Sequence, residues 1–221
     1  MKRQTLAVLS LVMIPVALYF AIIYAPTEAT MGHIQRILYF HVPQAVLSYT
    51  SAIILGLASL MYLIKGDLKW DRLAYCSAEL GVLFTATTLV SGMIWARPVW
   101  NTWWEWDTRL TLQLMLGLLF VGYHMLRSYL PEREKRARLS TVFGFLAMLD
   151  VPINYLSTRI QEQHHPVVLG PGGGGMEPSM QLALLISMIA FGILYAYLLA
   201  QRIAIAKVEE EVEYMEQVVH A

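Results

Sequence analysis

Six long apolar segments constrain the fold of this chain more than any other feature. Each is about the 20 residues that a helix needs to cross the hydrocarbon core of a bilayer. Only 14% of the 221 residues are charged, whereas about a quarter are charged in soluble domains. The sequence therefore predicts an all-α polytopic membrane protein with a bundle of six transmembrane helices, over residues 5–24, 44–64, 73–95, 108–128, 138–158 and 180–201.

The distribution of lysine and arginine predicts how this bundle is oriented. If the N-terminus is cytoplasmic, twelve of these residues lie beside the inner ends of the spans and only four lie outside: Arg36, Arg97, Arg109 and Arg159. Because positive residues concentrate on the cytoplasmic side, both termini are predicted to be cytoplasmic. The net charge is zero, which gives no support to binding of nucleic acid.

The sequence divides into a membrane domain and a short tail. Residues 1–206 contain the six predicted spans, and residues 207–221 form an acidic cytoplasmic tail in which glutamates alternate with valines. This pattern is typical of an amphipathic helix. The tail is predicted to be either a helix that contacts a partner or a solvated, frayed end.

A run of tryptophans lies between the third and fourth spans, on the predicted outer side. Five of the six tryptophans fall within twelve residues: Trp95, Trp100, Trp103, Trp104 and Trp106. Tryptophans favour the membrane interface, but an interfacial belt usually uses one or two at each helix end. The density of the run favours a binding platform for a large flat ligand.

The other two outer connections contribute histidines. His41 precedes Pro43 by two residues, which places its imidazole at the mouth of the bundle in the first turn of the second span. His164 and His165 precede a glycine run that lacks the lysine and serine of a phosphate-binding loop, so this run is interpreted as a flexible linker. A lone interfacial histidine is commonly a polar anchor. Two histidines are too few for a structural zinc site but suffice for the axial positions of a haem iron.

Two further residues stand out within the spans. Asp150 lies about halfway along the fifth span, where ionisable groups are costly and commonly functional. It is predicted either to orient a ligand or to form a structural hydrogen bond near Pro152. Cys76 is the only cysteine, which excludes an intrachain disulfide, and it is predicted to be a buried thiol.

Two motifs resemble those of a known family. The segment Trp103-Trp104-Glu105-Trp106-Asp107, followed by Arg109-Leu110-Thr111, resembles the tryptophan-rich WWD signature of haem-handling membrane proteins. The segment from Gln35 to Pro43 is similar to the one before the second helix in the haem exporter protein C (CcmC) branch. The resemblance covers nearly the whole chain.

The resemblance implies a role in cytochrome c maturation. Such proteins hold haem b on the outer, periplasmic face of the bacterial inner membrane and attach it to the haem chaperone CcmE, together with CcmA, CcmB and CcmD. Carried over to this sequence, His41 would be one axial ligand of the haem iron. His165, or alternatively His164, would be the other. Trp103, Trp104, Trp106 and Asp107 would form the haem platform.

Neighbouring residues extend this candidate site. Trp95 and Trp100 would add rigid apolar surface, and Arg36 and Arg109 are candidates to bind the haem propionates, as are Arg97 and Arg159. The pattern favours a haem-binding and transfer component over a free-standing enzyme. Two alternatives stay open, a stand-alone haem lyase that acts on apocytochrome and a membrane subunit of an ABC-type haem exporter. A lyase would be expected to have a larger outer domain, and an exporter a long coupling helix in an inner loop.

Overall fold

The computed structural model describes residues 3–160 and 176–219 of the chain. It has six helices that are long and apolar enough to cross a membrane, which confirms the predicted all-α, six-span architecture. A turn of π-helix, Phe20–Tyr24, extends the first helix, and a 3-10 helix, His33–Ile37, leads into the second. The helices are α1 Arg3–Tyr19, α2 Leu38–Lys65, α3 Leu68–Trp100, α4 Thr108–Tyr129, α5 Arg133–Ile160 and α6 Pro178–Val219.

The helices alternate in direction, so the bundle has two chemically different ends. The tryptophan end carries the start of α2, the end of α3 and residues 101–107. The terminal end carries the start of α1, the end of α6 and the two short connections, residues 66–67 and 130–132. Arg3 Nη1 donates to Gln201 Oε1 at 3.4 Å, which joins the first and last helices at this end.

Helix α2 lies at the centre of the bundle, where it packs on α3, α5 and α6. The core between α2, α3, α4 and α5 is built largely from alanines around Leu55, Leu116 and Phe120. Gly81 of α3 lies directly against the Phe120 ring, so any side chain there would collide with it. Small residues let helix backbones approach closely, which is how helices associate in lipid.

Interhelical hydrogen bonds add to this packing. Gln113 Nε2 of α4 donates to Ser48 Oγ of α2 at 3.1 Å. Ser77 Oγ of α3 donates to the Ser51 carbonyl at 2.9 Å, and Ser51 Oγ donates to the Tyr195 hydroxyl of α6 at 3.1 Å. Such bonds between transmembrane helices contribute about 0.6 kcal/mol each. Cys76 is fully buried, as predicted.

Ion pairs hold the terminal end together. The Arg127 guanidinium donates to both oxygens of Asp71, at 2.6 and 2.9 Å, and both side chains are buried. Glu210 of α6 accepts from Arg72 of α3 at 2.8 Å and pairs with Arg133 of α5 at 2.5 Å. The C-terminal part of α6 is therefore attached to the ends of two other helices.

Several helices extend beyond the segments predicted from hydropathy. Helix α3 continues from Trp95 to Trp100, α2 begins at Leu38 so that Pro43 lies inside it, and α6 runs unbroken to Val219. Hydropathy reports the thickness of the bilayer core, about 30 Å, but not where helical hydrogen bonding ends. With 33 residues, α3 is about 50 Å long. The connection after it is therefore residues 101–107, shorter than the predicted 96–107.

Candidate functional site at the tryptophan end

A small polar cavity lies between α2, α3 and α4 near the tryptophan end. Its volume is about 30 Å³, and His41, Tyr49, Arg109 and Gln113 contribute to its lining. This space accommodates water-sized molecules, whereas a large flat ligand would have to lie outside it against the exposed rings. The cavity places His41 of α2 and Arg109 of α4 at a common polar junction.

The imidazole of His41 is oriented by α3. Its Nδ1 lies 3.0 Å from Ser91 Oγ, and the Ser91 hydroxyl donates its own hydrogen to the backbone, at 2.8 Å to the Thr87 carbonyl or 3.1 Å to that of Thr88. When the serine oxygen serves as acceptor, Nδ1 is the protonated nitrogen. In that tautomer Nε2 carries the lone pair, which is the form in which histidine coordinates a metal.

Two further residues of α3 shape the space around this imidazole. A Cβ at Gly92 would lie 3.1 Å from His41 Cε1, so the glycine lets the ring lie close to the α3 backbone. The Trp95 ring meets the His41 ring edge to face, with centroids 5.8 Å apart. Trp95 is buried, only 7% exposed, and therefore forms a wall beside the histidine, not an open surface.

The other four tryptophans of the run differ in exposure. Trp100 is the last residue of α3 and Trp104 is half-buried. Trp103 and Trp106 are 58% and 76% exposed. The Trp104 and Trp106 rings meet edge to face at 5.5 Å. The tryptophan end therefore presents exposed indole surface next to a buried tryptophan and an oriented histidine.

Both ends of residues 101–107 are fixed by helix capping. Asn101 ends α3 in the left-handed conformation, with φ 57°, and Arg97 Nη1 donates to its backbone oxygen at 2.7 Å and its side-chain oxygen at 2.6 Å. Asp107 begins α4, because its carboxylate accepts from the Leu110 amide at 2.7 Å. Arg97 thus has a capping role, and the Asp107 carboxylate contributes to loop shape.

The predicted propionate-binding arginines occupy different places. Arg109 lines the cavity with His41 and lies within hydrogen-bonding reach of the Tyr49 hydroxyl. Arg36 is half-buried in the 3-10 helix before α2. Asp150 is buried within electrostatic range of Tyr49. Its Oδ2 accepts no hydrogen bond from the described residues, so the predicted structural bond at Pro152 is not seen for this oxygen.

Several buried hydrogen-bond donors lie near the tryptophan end. The indole N–H groups of Trp95 and Trp104 and the Nε of Arg36 are buried and have no hydrogen-bond partner within residues 3–160 and 176–219. Buried donors without partners are rare in folded proteins. Their position at the tryptophan end, beside exposed aromatic rings, fits a ligand that is a large apolar plate with carboxylates at its edge.

The structure brings together part of the residue set predicted from sequence. His41, Trp95 and Arg109 lie around one junction, and Trp103, Trp104 and Trp106 lie on the adjoining loop. The predicted second histidine, His165 or His164, falls outside the residues that the structure describes. The set of predicted ligands therefore stays a prediction.

Sequence reasoning missed the α3 residues that position His41. Ser91 and Gly92 lie one turn before Trp95 and contact the imidazole. Thr88 lies one turn further back and lines the same cavity. A signal was available, since small or polar residues recur at helical spacing on one face of an otherwise apolar helix. Such a stripe predicts that this face meets a polar group.

Comparison with known protein sequences shows which family this chain is similar to. Residues 2–218 match the family model described as "Heme exporter protein C". The chain is 32% identical over 195 residues to heme exporter protein C of Bradyrhizobium diazoefficiens, covering 87% of this chain and 74% of that protein.

Two further relatives are similar over most of this chain. The chain is 31% identical over 178 residues to heme exporter protein C of Escherichia coli K12, covering 75% and 72% of the two chains. It is 30% identical over 176 residues to a putative cytochrome c biosynthesis ccmC-like mitochondrial protein of Marchantia polymorpha, covering 79% and 75%.

Proposed function

Because the chain belongs to the heme exporter protein C family, we propose that it binds haem b at its tryptophan end and presents it to the haem chaperone CcmE. Family membership supports a role in haem handling for cytochrome c biogenesis by a multi-pass membrane protein. In this proposal the tryptophan end faces the periplasm, both termini are cytoplasmic, and the chain acts beside CcmA, CcmB and CcmD in the bacterial inner membrane.

The observation that carries the proposal is the orientation of His41. Ser91 is hydrogen-bonded to its Nδ1, and Gly92 and Trp95 lie against its ring. Histidines that coordinate metals commonly donate their other N–H in this way. Haem iron takes two axial ligands, and the second would be His165 or His164.

The tryptophans would supply the apolar surface of the site. Trp103 and Trp106 are too exposed for core residues, and exposed aromatic clusters commonly mark ligand-binding or interaction surfaces. Arg109 and Arg36 would pair with the propionates, because guanidinium binds carboxylate through two parallel hydrogen bonds. The N–H groups of Trp95 and Trp104 are further donors near this surface.

An open, partly exposed site suits transfer to another protein. A resident cofactor is usually buried for most of its surface, whereas Trp103 and Trp106 leave one side of the platform accessible. We therefore expect haem to be held reversibly here and passed on, with the chain acting as a binding and transfer component.

Absorption spectra test the proposal. Purified protein in detergent, titrated with haem, should show a Soret band with low-spin features. His41→Ala and His165→Ala should each shift the band or weaken haem binding by at least tenfold, with His164→Ala as the comparison that separates the two adjacent histidines. His33→Ala is the matched control, since His33 is an exposed histidine of the same connection.

The outcomes separate the proposal from its alternatives. If the wild type binds no haem, or if His41→Ala binds it unchanged, the proposed site is wrong. Photo-cross-linking from position 106 should capture CcmE in membranes that contain the whole complex. Capture of apocytochrome in place of CcmE would favour a haem lyase, and haem flux into sealed vesicles would favour an exporter subunit.

A further inference from the structure

The C-terminal part of α6 carries an exposed apolar stripe outside the membrane. Predicted span six ends at residue 201, and α6 continues as one helix to Val219. Ile205, Val208, Val212, Met215 and Val219 recur at alternating spacings of three and four, and each is between 43% and 79% exposed. This spacing is the a and d pattern of a coiled coil, so we call these five residues the α6 seam.

The side of α6 opposite the seam is occupied. Ala206 is buried, and Glu210 pairs with Arg72 of α3 and Arg133 of α5. In the heptad that starts at Ile205, these two residues are b and f positions, which lie away from a and d. The body of the protein therefore holds α6 by its back and leaves the seam directed outward.

These ion pairs also fix the direction of the extension. Since Glu210 joins α6 to the ends of α3 and α5, the extension continues along the axis of its span, and it does not lie along the bilayer surface. From Ile205 to Val219 the seam is about 21 Å long. Residues 205–219 also contain five glutamates, which disfavour association with anionic lipid. The exposed valines therefore do not indicate binding to a membrane surface.

The seam continues an interface that the bundle already uses. Helix α1 packs along α6, and Arg3, at its start, donates to Gln201, which occupies the d position one heptad before Val208. Arg3 also lines a groove with Ile205, Val208 and Val212. Where α1 begins, the same face of α6 continues, and none of the other helices in the described part of the chain packs against it.

Charge decides which helix fits this face. The residues flanking the seam at e and g positions include Glu209, Glu211 and Glu216. Glu209 pairs with Arg202 at 3.0 Å and Glu211 with Lys207 at 3.7 Å, but both glutamates are exposed and the flank carries more acids than bases. A second copy of the chain would bring these acids against one another, which disfavours self-pairing. A helix with lysine or arginine at its flanking positions would form opposite-charge pairs with them.

We propose that the α6 seam is a docking site for a basic amphipathic helix of a partner protein in the same membrane. The two helices pair as a short coiled coil on the terminal side of the bundle, with apolar residues at a and d and basic residues at e and g of the partner. Two heptads give a weak contact in solution, but confinement of both proteins to one membrane raises their effective concentration. This site is separate from the tryptophan end and does not depend on haem binding.

Designed peptides test the seam without a known partner. The probes are two fluorescein-labelled 16-residue peptides with leucine at a and d, helix-stapled between b and f, one with lysine and one with glutamate at e and g. The full chain is placed in phosphatidylcholine nanodiscs, and binding is read by fluorescence anisotropy. We expect the lysine peptide to bind at least about tenfold tighter than the glutamate peptide.

Variants locate the binding on the seam. Val208→Ser with Val212→Ser should weaken binding of the lysine peptide by about tenfold or more, whereas Tyr214→Ser, an exposed residue off the seam, should leave it unchanged. Glu211→Lys with Glu216→Lys should reverse the preference between the two peptides. All these positions are exposed, so the unfolding temperature should stay the same.

Three results would overturn the proposal. Equal binding of the two peptides would remove the role of charge, and unchanged binding to the double-serine variant would place the contact elsewhere. Disulfide-linked dimers of Met215→Cys in membranes would assign the seam to a second copy of the chain.

Discussion

The Nδ1 of His41 lies 3.0 Å from the hydroxyl oxygen of Ser91, fifty residues away on the neighbouring helix. The serine hydroxyl is itself bonded to the α3 backbone, so it cannot rotate freely. An imidazole at the mouth of the bundle is thereby hydrogen-bonded to a group that belongs to a rigid helix.

Loss of this serine should weaken haem binding without unfolding the protein. In Ser91→Ala, the His41 ring loses the hydrogen-bond partner that orients it. Outer-shell partners of this kind are worth about 10- to 100-fold in affinity, which a haem titration would measure. Thr87→Val is the matched control, because the Thr87 hydroxyl lies one turn away and bonds to the Leu83 and Phe84 carbonyls of its own helix. Equal affinities for the two variants would contradict the role assigned to Ser91.

Gly92→Ala should separate stability from binding. The added methyl would lie 3.1 Å from His41 Cε1 and push the ring from its position, so haem affinity should fall. Alanine in place of glycine should also stabilise the helix by about 0.5–1 kcal/mol, so the unfolding temperature should not fall with it.

Gly192→Ala provides the comparison for that experiment. No atom of the described residues lies within 4 Å of a Cβ at this position of α6, so the same gain in helix stability is expected with haem affinity unchanged. A parallel loss of haem affinity in both variants would show that the effect of Gly92→Ala is not local.

Asn101 should tolerate glycine but not alanine. Its φ of 57° costs an ordinary L-residue about 1–2 kcal/mol, whereas glycine adopts it readily. Asn101→Ala should therefore alter the end of α3 and change the emission maximum of tryptophan fluorescence. Asn101→Gly keeps the backbone geometry and should change it less, although it also loses the side-chain bond to Arg97. The opposite order would be inconsistent with a left-handed cap.

The buried pair Arg127–Asp71 should be the most sensitive charge contact. Arg127→Leu leaves the Asp71 carboxylate buried without its partner, which typically costs about 3–5 kcal/mol of unfolding free energy. The double variant Arg127→Leu with Asp71→Leu should lose less than Arg127→Leu alone. Unfolding by SDS titration measures both. Lys207→Leu, which breaks an exposed pair at 3.7 Å, should change stability by less than about 1 kcal/mol.

Cysteine labelling tests the proposed orientation. Cys76 is fully buried, so the wild type should give little reaction with a membrane-impermeant maleimide. In intact spheroplasts, Trp106→Cys should react and Tyr214→Cys should react only after permeabilisation. The reverse pattern would place the tryptophan end in the cytoplasm.

The number and type of helices could be predicted from sequence because hydropathy directly reports burial in lipid. The ends of the helices could be predicted less well. Helix α3 passes its predicted end at Trp95 because Arg97 and Asn101 cap it further on, and no change in hydropathy marks that point. Pro43 suggested a helix start, but the 3-10 helix before Leu38 already supplies the turn into α2.

For the candidate site, the sequence indicated which residue types take part but not how they are arranged in space. Residue type alone brought out His41 and the tryptophans, because aromatic rings at this density are unusual in a short connection. The roles of Ser91 and Gly92 depend on how α3 packs against α2, a relationship between residues fifty positions apart that spacing along one helix does not determine. Arg97 is a candidate for haem propionates, and its contacts to Asn101 show that it also caps α3.

The two caps on residues 101–107 limit how far the exposed tryptophans can travel. Seven residues span at most about 24 Å when fully extended, and both ends are fixed to helices of the bundle. A loop tethered in this way returns to its starting point within a few residues, so its rings cannot accompany a departing ligand away from the membrane. The reach needed for haem delivery would then have to be built into the acceptor protein, which must come down to the bilayer surface to collect it.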